Sequence, residues 1–510
     1  MKSRLVLGST LAGISFGDVQ WYQTCESNGD RLSYKGTLPF SMTENESVVF
    51  QVNIDPSTTY QNIFGFGGAL TQSSAAVYKS LPKDLQRQVI EAYYGSTGIG
   101  YSTGRLPIHS CDFSADVYTF DDAVGDANLE YFDTSVKYDQ NLSLPLIHDA
   151  LLARPDLTLF GSPWSPPAWM KDNNDMMHGG HLLDEYRSTW ADYFSKWLTA
   201  YRDQGVPVWG ITVQNEPEAA QSWESCLYTP ESTRDFVADY LGPVIERDHP
   251  SVKILGFDHN KDHLVDWADT LLSSESPSAK YMHGMAFHWY SGSCFNNVNA
   301  VSHSYPDALL LPSEACYELT VMEDDSIDDS WLANGTWARG EGYGYDIMGD
   351  LESGSGGWTD WNILLDSMGG PNHVGNFCDA AIIADVDDKD GSPDPALYFH
   401  PQYFYMGHFS KFLPSGGKST RVRSDVSGVT PMAADETCSW PYGTCNGDNL
   451  YVTSWRVRDQ SDSRESITSV VMNCGSNDKD LSLNIAGVEG TVYNTVPAHS
   501  IQTYIFRAEQ

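Results

Sequence analysis

The sequence predicts an α/β fold, a (β/α)8 TIM barrel with an additional antiparallel β-sandwich domain, and three observations support this prediction. Between about residues 62 and 361, eight apolar segments alternate with helical patterns. After about residue 410, short segments of alternating apolar and polar residues are separated by Gly, Asn and Asp turns. The length of 510 residues accommodates one barrel-sized domain and a smaller one.

The predicted barrel strands are too apolar to leave one face in water, so they suit a parallel sheet that is buried on both sides. They are Asn62–Leu70, Ser102–Asp112, Leu157–Trp164, Val206–Glu216, Val252–Asp258, Met282–Tyr290, Ala308–Glu314 and Tyr345–Trp361, the last of which is interrupted by glycines. Between them, Leu182–Gln204 carries aromatic residues at helical spacing, which predicts a helix packed on the barrel. Thr229 followed by Pro230 predicts the start of another helix. The glycines at 65, 67 and 68 match no phosphate-binding spacing and indicate close packing in the barrel.

Four segments predict the strands of the second domain. They are Leu450–Asp459, Glu465–Cys474, Leu481–Val488 and Thr491–Phe506. Residues 1–60 contain strand-like pieces that have no partner in the barrel, so we expect them to join this sheet. The predicted organisation is N-terminal strands of the β-sandwich domain at 1–60, the catalytic barrel at 61–408 and the C-terminal β-sandwich domain at 409–510.

Charge and hydropathy exclude several classes of function. A formal net charge of -38 argues against nucleic acid as a partner and against electrostatic docking to anionic membranes at neutral pH. The sequence lacks the run of about 18 uninterrupted apolar residues that a membrane span needs. Leu5–Phe16, preceded by Lys2 and Arg4, fits either a weak signal sequence or a first strand, and the residues do not decide between them.

Cysteines, sequons and acidic runs give weaker indications. Nine cysteines is an odd number, so at least one has no partner within the chain, while Cys438 and Cys445 flank a turn and could close a small loop disulfide. Sequons would accept glycans in a secreted eukaryotic protein, and they occur at Asn45, Asn141 and Asn334. The acidic runs at 323–329 and 385–394 predict solvated loops, because the second lacks the glutamate that a calcium loop carries at its twelfth position.

Two glutamates at predicted strand ends suggest the chemistry. Asn215-Glu216 ends the fourth strand before Pro217, and Glu314 ends the seventh. One such carboxylate would be assigned to the solvated rim of the barrel. Two of them form the minimum set for glycoside hydrolysis, in which one is protonated and the other ionised. The sequence does not give their separation, which decides between retention and inversion at the sugar.

The other predicted strand ends are also polar or aromatic. They carry Arg105 and Asp112, Trp164, His288 and Tyr290, and Trp361. Each residue alone has a structural explanation: Arg105 could pair with a barrel carboxylate, and His288 could be a satisfied core histidine. Their occurrence together favours a functional site at the carboxyl end of the barrel.

In this order, these residues resemble glycoside hydrolase family 30, and within it the branch of lysosomal glucosylceramidases (acid β-glucosidases). The resemblance runs from about residue 20 to the C-terminus. The segments that carry it are GFGGALT (65–71), CDFS (111–114), SPWSPPAWMK (162–171), NEP (215–217), HWY (288–290), SEAC (313–316), GWTDWN (357–362), GGPN (369–372) and GHFSKF (407–412).

The resemblance implies a role for each residue of the site. Glu216 would be the acid/base and Glu314 the nucleophile of a retaining mechanism, with carboxyl groups roughly 5 Å apart. We expect Arg105 to favour ionised Glu314, and dry surroundings to raise the pKa of Glu216. The substrate-binding residues would be Asp112, Trp164, Asn215, Tyr290, Trp361 and Asn376, with Arg105 and His288 in supporting positions.

The function that the resemblance implies is hydrolysis of the β-glucosidic bond of glucosylceramide to glucose and ceramide. It implies no metal and no organic cofactor, a saposin-like activator and a transient membrane surface as partners, and a lysosomal/vacuolar or secreted location. The segment 218–226 is shorter than in the animal enzymes, and His373 stands in place of a Trp. Two alternatives stay open: a secreted polysaccharide hydrolase (a β-1,6-glucanase or a xylan-active enzyme), and a non-catalytic carbohydrate-binding protein.

Overall fold

The computed structural model describes residues 17–508 except 44, 46–47, 320–334, 387–394, 439–442, 446 and 459–463. It shows the predicted TIM barrel and a second, mostly antiparallel β domain. The expectations for Leu5–Phe16, for Asn334, for the acidic run at 323–329 and for most of the run at 385–394 lie outside the described residues.

The barrel consists of eight parallel strands. Three strands precede it, β1 (Val19–Cys25), β2 (Ser33–Leu38) and β3 (Phe50–Asn62). The barrel strands are β4 (Gly65–Ala69), β5 (Thr103–Ile108), β6 (Thr158–Pro163), β7 (Val208–Thr212), β8 (Lys253–Asn260), β9 (Met282–His288), β10 (Leu309–Glu314) and β11 (Gly357–Asn362). Neighbours in sequence pair from β4 to β10, and β11 pairs with β4. The N–H groups of Gly356 and Trp361 donate to the carbonyls of Leu310 and Ala315, which closes the barrel.

The predicted close packing of β4 is confirmed at Gly67. A Cβ atom at this position would lie 2.0 Å from the backbone oxygen of Thr103 on β5. Only glycine fits there, because a side chain would push the two strands apart.

Helices cover the outside of the barrel. They are α1 (Gln72–Ser80), α2 (Lys83–Tyr94), α3 (Lys137–Gln140), α4 (Ser143–Ala153), α5 (Arg187–Asp203), α6 (Pro230–Phe236), α7 (Gly242–Asp248), α8 (Leu264–Leu272), α9 (Phe295–Ser304), α10 (Trp337–Glu352) and α11 (Pro401–Ser410). A π-helical turn joins α6 to α7, and short 3-10 turns occur at Ala168–Met170, Asp184–Tyr186, Lys261–His263 and Met432–Ala434. Among the helices described, none combines the length and the apolar character that a bilayer span requires.

The observed limits of the helices agree with some of the predicted limits and differ from others. The predicted cap at Thr229 is confirmed, since its side chain and that of Ser232 form a reciprocal capping box at the start of α6. The helix predicted at Leu182–Gln204 is α5, which begins five residues later. The eighth predicted strand, Tyr345–Trp361, is wrong in its first half: residues 345–352 belong to α10, which ends just before Gly354 (φ 112°).

The second domain is a nine-stranded sheet that combines both ends of the chain. After a small sheet of β12 (Leu365–Asp366), β13 (Ile382–Asp385) and β14 (Ala396–Phe399), its strands are β15 (Ser419–Val426), β16 (Leu450–Arg458), β17 (Glu465–Asn473), β18 (Lys479–Ile485), β19 (Val492–Val496) and β20 (Ser500–Arg507). The order is β19-β18-β3-β15-β16-β17-β20-β1-β2. Ser41 and Thr491 exchange two backbone hydrogen bonds (2.8 and 2.9 Å) that bring the two edges together. The segment Thr491–Phe506, predicted as one strand, forms β19 and β20 on either side of a turn at 497–499.

The predicted disulfide between Cys438 and Cys445 is wrong. Cys438 bonds to Cys294, and Cys445 bonds to Cys474. Backbone hydrogen bonding explains the first pairing, because the N–H of Cys294 donates to the carbonyl of Thr437 (3.0 Å) and lays this segment along the start of α9. Proximity in sequence was therefore a poor guide to proximity in space.

Candidate active site

The carboxyl ends of the barrel strands surround a pocket of about 570 Å³. Its lining includes all eight residues predicted as catalytic or substrate-binding, while Arg105 and His288 are fully buried beside it. The lining residues are Asp112, Trp164, Asn215, Glu216, Gln221, Trp223, His259, Asn260, Tyr290, Glu314, Cys316, Glu318, Trp361, Asn376 and Cys378.

The two glutamates reach the pocket in different ways. Glu314 is the last residue of β10, as predicted. Glu216 lies four residues beyond the end of β7, so the prediction that the strand extends to it is wrong. Its N–H donates to the carbonyl of Asp258 (3.0 Å), and that of Asn215 donates to Pro163 (2.8 Å). Glu216 has φ of 45°, a strained value for a residue with a side chain, of the kind that occurs at functional sites.

The separation of the two carboxyl groups decides the stereochemistry that the site allows. An oxygen of Glu216, an oxygen of Glu314 and a ring nitrogen of His288 all lie within 4.8 Å of one another. Retaining glycosidases place their carboxyl groups about 5–5.5 Å apart, whereas inverting enzymes need about 6.5–9.5 Å to admit a water molecule. The geometry therefore fits a retaining mechanism.

Arg105 connects the acidic groups beneath the pocket. One guanidinium nitrogen makes a close ionic contact with Glu314. Another donates to Asn215 Oδ1 and to Asp258 Oδ2, both at 2.8 Å. Arg105 is fully buried, so its planar group holds three polar side chains in fixed positions.

His288 lies between Asp258 and Glu216. Its Nε2 is 3.1 Å from Asp258 Oδ1, and its Nδ1 is 3.2 Å from Glu216 Oε1. Burial lowers the pKa of His288, but the charge of Glu314 and the hydrogen bonds to Asp258 and Glu216 outweigh it and raise the pKa to about 9. Burial raises the pKa of Asp258, yet the charge of Arg105 and the His288 hydrogen bond hold it well below the usual range.

The pKa of Glu216 shifts in the direction opposite to the predicted one, whereas Arg105 favours ionised Glu314 as expected. Burial raises the pKa of Glu216, but the hydrogen bond with His288 and the nearby cationic groups more than offset it, so the pKa is lowered. The pKa of Glu314 is raised, because burial outweighs the charges of His288 and Arg105. The prediction of a raised pKa for Glu216 is therefore wrong in the unliganded pocket. A raised pKa for His288 and a lowered pKa for Glu216 place the proton of their hydrogen bond on His288 in the unliganded pocket.

Aromatic and amide groups form the other walls. Trp164 and Trp361 stack with ring centroids 5.3 Å apart. Asn376 Nδ2 donates to Asp112 Oδ2 (3.1 Å), and burial raises the pKa of Asp112 well above its usual range. The hydroxyl of Tyr290 donates to Glu314 Oε1 (3.0 Å). Two indole faces beside paired hydrogen-bonding groups suit a sugar ring, which has apolar faces and polar edges.

Some residues of the site were missed in the sequence. Asp258 ends the fifth predicted strand, so its position at a strand tip was the signal that could have identified it. Glu224 is buried with its Oε2 3.4 Å from Nε2 of His373, the residue that replaces the expected Trp. Its charge is one of the influences that raise the pKa of Asp112. No pattern in the sequence links these two positions.

A metal ion is a poor match for the site. Within the described residues, one group of His, Cys, Asp or Glu side chains has ligand atoms close enough to hold an ion, and it consists of Glu216, His288 and Glu314. The guanidinium of Arg105 already contacts Glu314, and a second cation beside it would be repelled.

Comparisons with known proteins show the family and the fold of the chain. Residues 63–413 match the model of the glycosyl hydrolase family 30 TIM-barrel domain. Lysosomal acid glucosylceramidase from Mus musculus is 33% identical over 470 residues, which cover 90% of this chain and 84% of the relative. The crystal structure of SrfJ from Salmonella typhimurium matches with a TM-score of 0.82 and 30% identity, covering 96% of this chain and 100% of that one.

A polysaccharide-degrading enzyme is also similar. Endo-1,6-beta-D-glucanase from Neurospora crassa is 28% identical over 416 residues, covering 79% of this chain and 82% of the relative.

Proposed function

The chain belongs to glycosyl hydrolase family 30, and we propose that this glycoside hydrolase is a retaining β-glucosidase that cleaves glucosylceramide into glucose and ceramide. One observation carries the retaining mechanism: an oxygen of Glu216 and an oxygen of Glu314 lie within 4.8 Å in a pocket with a tryptophan wall.

In the first step, Glu314 attacks the anomeric carbon while the glycosidic oxygen departs with a proton from Glu216. Arg105 and Tyr290 donate to different oxygens of Glu314, so they orient the attacking carboxylate. In the second step, Glu216 removes a proton from water, and the resulting hydroxide releases glucose from Glu314. Asn215, fixed by Arg105, is placed to donate to the sugar beside the reacting carbon.

The proton for the first step comes from the hydrogen bond between Glu216 and His288. Nε2 of His288 donates to Asp258, so transfer of the Nδ1 proton to Glu216 leaves a neutral His288 whose Nδ1 accepts from the protonated carboxyl group. Glu314 meanwhile accepts hydrogen bonds from Arg105 and Tyr290, and these two donors favour its anionic form. The shared proton then lies on the carboxyl group that faces the leaving oxygen.

Similarity over nearly the whole chain to the mouse lysosomal enzyme supports the lipid substrate. We extend the proposal to a saposin-like activator, a transient membrane surface and a lysosomal/vacuolar or secreted location. The two disulfides are typical of an oxidising compartment, and the sequon residues Asn45 and Asn141 are exposed.

A β-1,6-glucanase is the second candidate. The similarity to the Neurospora crassa enzyme and the polar pocket lining at Gln221, His259, Asn260 and Glu318 favour it. A non-catalytic binding protein is disfavoured, because both carboxyl groups and their supporting contacts are present.

Parallel hydrolysis assays with glucosylceramide and a β-1,6-glucan at acidic pH distinguish the candidates, with Glu314→Gln as the blank. We expect turnover of the lipid alone, lost in the variant. Turnover of the glucan alone would retain the mechanism and reject the lipid substrate. Turnover that persists in Glu314→Gln would reject the catalytic assignment itself.

A further inference from the structure

Two cysteines face each other across the wall of the pocket. After β10 the chain continues in an extended form in which Glu314, Cys316 and Glu318 all line the pocket. On the opposite segment, Asn376 and Cys378 line it in the same way. Alternate residues of an extended chain face the same side, so each cysteine lies next to a residue of the proposed sugar site.

Backbone hydrogen bonds hold these two segments together. The N–H of Leu319 donates to the carbonyl of Phe377, and that of Asp379 donates to Tyr317, both at 2.8 Å. The sulfur atoms of Cys316 and Cys378 are 2.8 Å apart, within about 1 Å of a disulfide bond length of about 2.05 Å. A bond between them requires only a small rotation of the side chains.

We propose that Cys316 and Cys378 form a third disulfide, which ties the segment carrying Asn376 to the segment that follows Glu314. The bond forms by exchange with a small disulfide such as glutathione disulfide. The two cysteines lose two protons and two electrons as their S–S bond forms. The S–S bond of the oxidant breaks, and its two sulfur atoms take up those protons and electrons as thiols.

The surroundings show when this bond forms and what it does. Burial raises the pKa of the Cys316 thiol to about 11, so exchange is slow in the folded protein and the bond forms during folding. This disulfide, called the tether below, acts on the sugar site in two places. On one segment, Asn376 donates to Asp112. On the other, the Tyr290 hydroxyl lies 3.5 Å from Cys316 Sγ and 3.0 Å from Glu314 Oε1. This consequence for activity rests on the proposed function, whereas the bond itself does not.

Counting thiols in the full chain tests the bond directly. The nine cysteines include the four in the two described disulfides. Denatured, unreduced protein should therefore contain three reactive thiols if the third bond is present and five if it is absent. Peptide mapping should show residues 316 and 378 in one cross-linked species that disappears on reduction. Five thiols in protein refolded from the reduced, denatured chain in a glutathione redox buffer at pH 8, or glutathione on either cysteine without the cross-link, would overturn the proposal.

Two variants distinguish loss of the Cys316–Cys378 bond from the general effect of removing a buried cysteine. Cys378→Val keeps an apolar side chain of similar size and should give four thiols and no cross-linked peptide. Cys25→Val removes a buried thiol of the second domain and should give two thiols with the cross-link retained.

The same proteins test the effect on activity. A phosphine reductant should lower kcat/KM for an aryl β-glucoside in wild type and in Cys25→Val by about threefold or more, because small displacements of positioning groups slow catalysis. It should have no such effect on Cys378→Val, which retains the other two disulfides. An equal response in all three proteins would overturn the role of the tether. If no glucoside is hydrolysed, the thiol count still decides whether the bond exists.

Discussion

Two of the buried ionic clusters among the described residues of the barrel contain the same types of side chain but differ in how firmly their protons are placed. The pocket cluster consists of Arg105, Asp258, His288, Glu216 and Glu314. The Asp379 cluster consists of Asp379, Arg339, His400 and Gln402. Each contains an arginine and a histidine that contact carboxylates away from water.

In the Asp379 cluster, donors saturate a single acid. Arg339 donates to Asp379 Oδ2 (2.7 Å), Gln402 to the same oxygen (2.6 Å), and His400 lies 2.8 Å from Oδ1. Burial raises the pKa of Asp379, but the charges of His400 and Arg339 hold it far below the usual range. Asp379 therefore stays ionised, and we assign this cluster a structural role.

In the pocket cluster, three acids share one arginine and one histidine. The shortage of positive charge leaves a proton to be divided among His288, Glu216 and Glu314, whose pKa values are displaced in opposite directions. Two of the acids also face the pocket. A reactive cluster therefore differs from a structural one in two respects: it has more buried acidic groups than cationic ones, and some of those acidic groups face a cavity.

The largest expected effect is that of Glu314→Gln, which removes the nucleophile and its negative charge. We expect kcat to fall by roughly 10⁴-fold or more, since the neutral amide of Gln cannot form the covalent intermediate. Hydrolysis of an aryl β-glucoside measures it, and a thermal melt shows that the variant is folded. A variant within tenfold of wild type would place the nucleophile elsewhere.

Glu216→Gln should lower kcat by roughly 10² to 10⁴-fold for substrates with poor leaving groups, because protonation of the departing oxygen is lost. Azide should restore turnover of an activated aryl glucoside and give glucosyl azide, since it attacks the intermediate without a base. Glu218→Gln is the matched control: this residue lies two positions further on, next to His263 (2.9 Å), and its loss should leave the rate unchanged. Lack of azide rescue would argue against the acid/base role.

Arg339→Met breaks the structural cluster and leaves Asp379 buried without its cation. We expect the free energy of unfolding to fall by about 3–5 kcal/mol, with kcat of the folded enzyme nearly unchanged. Arg423→Met removes an exposed ion pair with Asp55 and should cost about 0–1 kcal/mol. Denaturant titration measures both. If Arg339→Met lost activity and kept its stability, the structural role assigned to the Asp379 cluster would be wrong.

The smallest effect concerns pH. Because the pKa of His288 is raised from 6.5 to about 9, the shared proton is lost as pH rises through about 9, and kcat/KM should fall there. His288→Gln should move this alkaline limb to lower pH by about one unit or more.

The free energy of unfolding should also decrease as pH rises toward 9. The raised pKa stabilises the folded state fully below the unfolded value of 6.5, and this contribution is lost as pH rises to about 9. The difference in unfolding free energy between wild type and His288→Gln should therefore shrink across that range. A constant difference would show that His288 carries no displaced proton.

How much could be predicted depended on whether the signal was local. Glu314 could be assigned to its strand end because the apolar run and the polar pair Ser313-Glu314 that ends it are adjacent in the chain. Thr229 could be assigned as a helix cap because the signal, a Thr followed by Pro230, consists of adjacent residues. Cys438 could not be paired correctly, because its partner Cys294 is 144 positions distant. Glu216 was assigned to a strand that ends four residues earlier, since the contacts that hold it come from β6 and β8.

The sequence by itself determined the barrel, the second sheet domain and several strand-end residues that line the pocket, among them Trp164 and Glu314, because strand periodicity and strand-end chemistry are properties of neighbouring residues. Only the tertiary structure decided the spacing of Glu216 and Glu314, the direction of their pKa shifts and the approach of Cys316 to Cys378. Distances and desolvation depend on segments far apart in the chain. The Coulomb energies that set protonation depend on those distances.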